Sequence, residues 1–164
     1  MLDPVLLGTI GLTRRTEYNH IMSKFAFDPA EERRLFHEGL LRYNEQDYFE
    51  AHDIWEEAWS QVQDRRREQF YRALIRSAVC MVLLQSGRAV GARQVFVDCV
   101  ETFAGLPPVF MGLNIPNHIE KVRAALAPAM IDLNATRVTI DPAKLFTIRL
   151  EYDPFKESRN SEGL

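Results

Sequence analysis

The stretch Asp47-Tyr-Phe-Glu-Ala-His-Asp-Ile-Trp-Glu-Glu-Ala-Trp-Ser-Gln-Val62 decides the reading, because it sets a histidine and a glutamate on the margin of an otherwise ordinary amphipathic helix. At about 100° per residue, Tyr48, Ala51, Ile54, Trp55, Ala58, Trp59 and Val62 form one apolar stripe, and Glu50, Asp53, Glu57 and Gln61 gather opposite as a solvated face. His52 and Glu56 belong to neither. Four residues apart, they are neighbours on one flank between Trp59 and Phe49, so their heads are expected to be half buried. Asp47, with Glu50 three positions on, has the form of an N-cap and capping box that starts the helix. Trp55 and Trp59 face the same way and read as core anchors.

Working outward, Asp28 and Pro29 open a helix that runs to Asn44, with Glu31 completing a second capping box. Leu35, Phe36, Gly39, Leu40 and Tyr43 supply its buried side. Glycine inside a helix costs roughly 1 kcal/mol against alanine, so Gly39 implies that another backbone comes close there. On the other side, the polar connector Gln63–Arg67 is short enough to make its neighbours antiparallel. The next helix, about Glu68–Ser86, is apolar almost all round and therefore central; Gly87 ends it in the left-handed conformation. A further helix, about Ala89–Ala104, is stopped by Gly105-Leu106-Pro107-Pro108. Val109–Pro116 reads as a loop and Asn117–Leu126 as a short last helix closed by Pro128. Val138–Ile140 and Phe146–Tyr152 alternate with a strand period, which predicts a small β-hairpin or an extended arm laid over the bundle. The expected architecture is an all-α antiparallel bundle of about five helices over residues 28–127. An aperiodic N-terminal arm, 1–27, precedes it, and a C-terminal extension, 128–164, follows it, ending in a disordered Lys156–Leu164.

A hydrophobic content of 46% and a charged content of 26% suit a globular protein in water. Net charge of −3 gives no electrostatic case for nucleic acid or an anionic membrane, and Arg65-Arg66-Arg67 is too short a run to change that. Cys80 and Cys99 sit within apolar helical patterns and read as reduced core residues. No apolar run approaches the ~20 residues that cross a bilayer, and an acid, Asp3, stands where a signal peptide carries lysine or arginine. The expected compartment is the cytoplasm.

In the central helix Arg72 and Arg76 repeat the oddity of His52 and Glu56, sharing a flank that Val79 and Leu83 continue as apolar surface. Half-burying two like charges without partners is costly. With the connector centred near residue 64, an antiparallel pair sets Glu56 level with Arg72 and His52 level with Arg76. The four side chains are then expected to meet, Glu56 bridging to one of the guanidinium groups. Such a cluster is a polar tie that fixes register, or a pocket for a small anion in which His52 supplies a tunable proton. A metal site of His52 and Glu56 with Asp53, His37 or His20 is the weaker candidate, since the arginines would repel a cation. His37 otherwise reads as surface. No zinc-protease, nucleotide-loop, nucleophile-elbow or Cys-x-x-Cys signature occurs.

Phe36-x-x-Gly39, Tyr43-Asn44, Tyr48-Phe-Glu-Ala-His-Asp-Ile-Trp-Glu-Glu-Ala-Trp59, Ala73-Leu-Ile75, Ala78, Gly87 and Gly91-Ala92 resemble the signature of the family known as domain of unknown function 309, over roughly residues 33 to 126. The resemblance implies a compact domain of antiparallel helices. It places the family's histidine and glutamates at His52, Glu56 and Glu57, and it brings no established activity. Arg72 and Arg76 stand where the family usually has glutamines, and Leu83 replaces a later histidine. These departures weaken the metal reading.

The sequence thus points to a non-catalytic binding or interaction module whose polar pocket holds His52, Glu56, Arg72 and Arg76, without a cofactor. Its partner would be a small anionic ligand or a protein, and the apolar arm beginning at Phe146 would suit a homodimer. The alternative is a small hydrolase-like enzyme, metal-dependent or not, with His52 as general base and Glu56 orienting it. A helical-repeat scaffold lacks the repeat period it would need.

Overall fold

Five α-helices form where the 3.6-residue apolar spacing calls for them: α1 Pro29–Asn44, α2 Tyr48–Gln61, α3 Arg65–Gln85, α4 Ala89–Phe103 and α5 Ile115–Ile131. The computed structural model describes residues 26–156. The expected N-terminal arm, His20 within it, and the expected disordered tail lie almost wholly outside the described residues. The three connectors before α2, α3 and α4 are each three residues long, so α1 to α4 run up and down, each packed on its sequence neighbour, and α5 lies against α4. The all-α bundle read from the sequence is the fold. Its core is aromatic-rich, with Phe36, Tyr43, Tyr48, Trp55, Phe70 and Tyr71 fully buried.

Of the two expected capping boxes, neither forms as drawn. Asp28 does cap α1, accepting from the Ala30 N–H at 3.0 Å, but Glu31 turns outward to Arg34 at 2.7 Å. Asp47 sits at the start of α2 without a side-chain capping bond. Asp64, expected within a polar connector, caps α3 by accepting from the Arg67 N–H at 2.9 Å, which starts the central helix three residues early.

Gly39 has the close neighbour its position demands, and it is a side chain rather than a backbone. A Cβ there would lie 2.1 Å from Nε1 of Trp55, whose indole fills the notch and donates to the Phe36 carbonyl at 3.4 Å. Trp55 is the anchor expected of it. Trp59 is not: it remains 39% exposed, and its N–H donates to Glu68 Oε1 at 2.7 Å.

Past α4 the structure departs further from the sequence reading. The expected loop contains a minimal hairpin, β1 Val109–Phe110 and β2 Leu113–Asn114, closed by Met111 and Gly112 with φ of 47° and 79°. Two successive positive φ values are what a two-residue hairpin turn requires. Helix α5 begins two residues earlier than expected and runs through Pro128 to Ile131. Proline forfeits one helical bond, but Arg93 of α4 donates to the carbonyls of Ala129, Leu133 and Ala135 at 2.8, 3.0 and 3.0 Å and holds that end of the chain.

No hairpin forms over 138–152. The described residues there make an extended strap, the other form the alternation allowed. Val138 donates to the Gly87 carbonyl at 3.1 Å, and Ile148 exchanges two bonds with the Asn44 side chain at 2.7 and 3.0 Å. Glu151 donates to the Gly112 carbonyl at 2.8 Å, and a side chain at Gly112 would strike the Tyr152 carbonyl. Phe146 packs on Tyr43 and His118 within the chain.

Gly39→Ala drives a methyl group into the Trp55 ring. Urea unfolding followed by tryptophan fluorescence is expected to show a loss of about 2 kcal/mol or more, with Gly39→Ser no better.

Candidate functional site

Helix geometry joins His52 to two carboxylates. Its Nδ1 lies 2.9 Å from Asp53 Oδ1 and its Nε2 lies 3.2 Å from Glu56 Oε1, the latter being the i, i+4 neighbour across one turn. The imidazole is half buried as expected, with the exposed Phe49 ring 5.9 Å away, whereas Glu56 keeps 51% of its side chain in solvent.

The arginines do not join them. Arg72 turns along its own helix toward Glu68 at 3.9 Å, and Arg76 donates to Thr102 of α4. The expected four-residue cluster therefore does not form, because the flank of α3 that carries Arg72 and Arg76 is turned toward α4 rather than α2: Gln69, on the same flank, donates to the Thr102 and Ala104 carbonyls at 2.8 Å, beside the Arg76 contact. His37 lies on the surface side, 3.2 Å from Asp153, and is part of no cluster with His52.

A different polar group is buried where the sequence reading had none. Glu32 lies on the inward stripe of α1, one turn before Leu35 and Phe36, and its side chain is almost wholly enclosed. Tyr71 donates to its Oε1 at 2.9 Å and Arg67 donates to its Oε2. Burial, and then the adjoining carboxylate, push the Tyr71 hydroxyl well above the ordinary phenol range. Glu32 and Arg67 also face an open cleft of about 790 Å³, walled by Phe27, Val62, Phe110 and Phe155. The cleft lies between the start of α1, the α2–α3 connector, the hairpin turn and the strap, with Arg66 on its wall. The signal for Glu32 was a charged residue on the apolar stripe of a helix, where His52 stands only at the margin.

A second polar thread crosses the core. The Tyr43 hydroxyl is 3.0 Å from Ser77 Oγ, which is 2.7 Å from His118 Nε2. His118 falls on the inward stripe of α5 with Ile115 and Val122. Burial, reinforced by the charge of Lys121, pushes its pKa down to about 3, so the ring is neutral. Burial likewise pushes the Cys80 thiol up to about 12, and Cys99 higher still, leaving two unreactive free thiols.

Trp55 in its notch, the Phe36–Gly39 turn of α1 and the His52–Glu56 flank fall within one recognisable segment. Residues 36–95 match the family model of DUF309, a domain of unknown function. The resemblance read from the sequence is thereby shown. A protein of Aquifex aeolicus (strain VF5) described as "Uncharacterized protein" is 28% identical over 97 residues, which cover 59% of this chain and 28% of that relative. The DUF309 match covers α2 and α3 with about half of α1 and of α4, and takes in His52, Arg66 and Arg67 but not Glu32.

Two outcomes follow from these placements. Arg67→Ala strands a buried carboxylate and is expected to cost about 3 kcal/mol, whereas Glu56→Ala removes an exposed pair and costs under about 0.5 kcal/mol; chemical denaturation measures both. Stability also falls on acidification through His118. Between about pH 6.5 and about 3 the unfolded chain takes up a proton that the folded chain refuses. The loss is at most about 1.4 kcal/mol per pH unit in that window and is absent above it. His118→Gln should flatten the dependence of the urea midpoint on pH.

Proposed function

We propose that this helical DUF309 protein is a non-catalytic binding module whose ligand occupies the cleft between α1, the α2–α3 connector, the hairpin and the strap. The supporting observation is the make-up of its walls. Phe27, Val62, Phe110 and Phe155 offer apolar and aromatic surface, and Arg66 adds a cation that has no ionic partner among the described residues. Mostly apolar concavities with a few placed polar groups are where small molecules bind. The chemistry favours a small amphipathic anion with an aromatic or aliphatic body against the phenylalanines and a carboxylate toward Arg66.

Of the two acids at the cleft, Glu32 is already engaged by Arg67 and Tyr71 and Asp64 by the Arg67 N–H, which suits them to shaping a wall rather than moving protons. His52 does not line the cleft. The hydrolase reading keeps one support, since Asp53 at Nδ1 orients the imidazole as a general base is oriented. Among the described residues no helix is long and apolar enough to cross a membrane. The buried free thiols of Cys80 and Cys99 suit a reducing compartment, and the cytoplasm is our reading of its location.

The test is an NMR titration of the full chain with small aromatic carboxylates and their amides. The acids are expected to shift the amides of Phe110 and Phe155 at micromolar to millimolar concentrations, with Arg66→Ala weakening them about tenfold and the amides binding poorly. Equal binding of acid and amide, or shifts unchanged in both Arg66→Ala and Phe155→Ala, would overturn it.

A further inference from the structure

We propose that Arg67 is the second cation that grips a ligand in the cleft, and that Glu32 and Tyr71 are positioning residues holding its guanidinium ready for a monoanionic carboxylate. The inference rests on the reading of the cleft as a ligand site and adds how the charged end of that ligand is held. Arg67 lines the cleft beside Arg66, its neighbour in the first turn of α3. A guanidinium carries five N–H groups in a rigid planar fork, and only Nη2 of Arg67 is engaged, by Glu32 Oε2. Its Nε and Nη1 have no partner among the described residues, and the side chain remains 35% exposed.

What holds Arg67 is itself held. The Glu32 side chain is only 3% exposed and both of its oxygens are used. Tyr71 donates to Oε1 at 2.9 Å, which stops the carboxylate from turning and keeps Oε2 on Arg67. Tyr71 is fully buried, edge-on to Phe36 and Phe70 with ring centres 6.2 and 6.1 Å away. Burial and the adjoining carboxylate keep its hydroxyl protonated, so it is the donor of that bond. A long side chain loses rotamer freedom when it grips a ligand. Arg67 has lost that freedom already in the fold, whereas Arg66 is exposed and without an ionic partner among the described residues. A donor ordered in advance binds more tightly than one that must be ordered by the ligand.

The charges at the cleft choose between anions. Arg66 and Arg67 contribute +2, and Glu32 and Asp64 contribute −2, so the walls carry no surplus positive charge. Each further negative charge on a ligand then meets repulsion without a matching cation, which favours a carboxylate over a phosphate monoester. What the site offers is direction: a planar fork with spare donors, the shape that takes both oxygens of a carboxylate. With Phe27, Phe110 and Phe155 around it, the class of ligand is an aryl carboxylate.

The experiment is NMR titration of the full chain with phenylacetate, phenylacetamide and benzyl phosphate, read at the amides of Phe110 and Phe155 and at the Arg67 side-chain Nε–H. Phenylacetate is expected to shift the Arg67 Nε–H signal. Arg67→Lys keeps the charge and the pair with Glu32 but loses the fork, and should weaken phenylacetate about tenfold. Tyr71→Phe leaves Arg67 in place but frees the Glu32 carboxylate to turn, and should weaken phenylacetate about threefold. Its weak binding of phenylacetamide should not change, whereas a loosened fold would weaken both alike. Benzyl phosphate should bind less tightly than phenylacetate, and the reverse order would overturn the choice of carboxylate. Equal binding of phenylacetate by the parent, Arg67→Lys and Tyr71→Phe, with Arg66→Ala still weaker, would sink the role of Arg67 and leave the cleft reading standing. No binding by the parent would sink both. An Arg67 Nε–H signal in the parent that saturating phenylacetate does not move would also rule out the clamp, and this measurement needs no variant to fold.

Discussion

The contact on which the rest of the structure depends is the indole of Trp55 in the notch left by Gly39. Full burial of a tryptophan removes about 200 Å² from water, worth about 5 kcal/mol at the usual transfer rate. The missing side chain on α1 sets how close α2 approaches, and the indole N–H bond to Phe36 sets where along the axis it stops. From that seat the aromatic core follows: Tyr43 lies 5.8 Å from Trp55 and 4.9 Å from Tyr48, and the next residue, Asn44, grips the strap at Ile148. The close fit of α1 and α2 thus reaches, through one asparagine, to a segment more than a hundred residues away.

Around this apolar contact the fold is specified by a few satisfied polar threads. Tyr43, Ser77 and His118 belong to α1, α3 and α5, helices that a purely greasy core could allow to slide. Glu32, Tyr71 and Arg67 do the same for α1 and α3 near the opposite turn. A buried polar group without a partner is costly and one with a partner is directional, so each thread penalises every register but one. Tyr48 shows the contrast: its hydroxyl is buried without a partner among the described residues, and burial pushes its pKa to about 12.

The helices were legible because burying one face of an α-helix imposes a 3.6-residue period on the sequence, and Asp28, Pro29 and Trp55 sit where that period put them. The strap was harder. An extended chain crossing an apolar surface also alternates, so Val138–Ile140 and Phe146–Tyr152 have a strand's pattern without a strand's partner. The Met111-Gly112 turn escaped because each of its strands is only two residues long, too short for any periodicity. Pro128 misled because the donors that hold its end of α5 come from Arg93, a residue of another helix. The expected meeting of α2 and α3 at the arginines failed because that flank of α3 serves α4, where Arg76 donates to Thr102. Face and spacing are written locally; which neighbour a flank meets is settled by contacts that no single segment contains.

Glu32, His118 and His52 all stand at or beside apolar stripes, and a sequence alone treats them as one kind of anomaly. What separates them is where their partners lie. Glu32 accepts from a tyrosine and an arginine, and His118 joins the Tyr43–Ser77 hydroxyl chain through Nε2, so both are held inside the protein. His52 faces two carboxylates, those of Asp53 and Glu56, at the edge of the bundle where solvent reaches it. Satisfied polar groups hold a fold together. A titratable group at the edge of the bundle stays in reach of solvent instead. Arg66, on the wall of the cleft, has no ionic partner among the described residues and is likewise open to solvent.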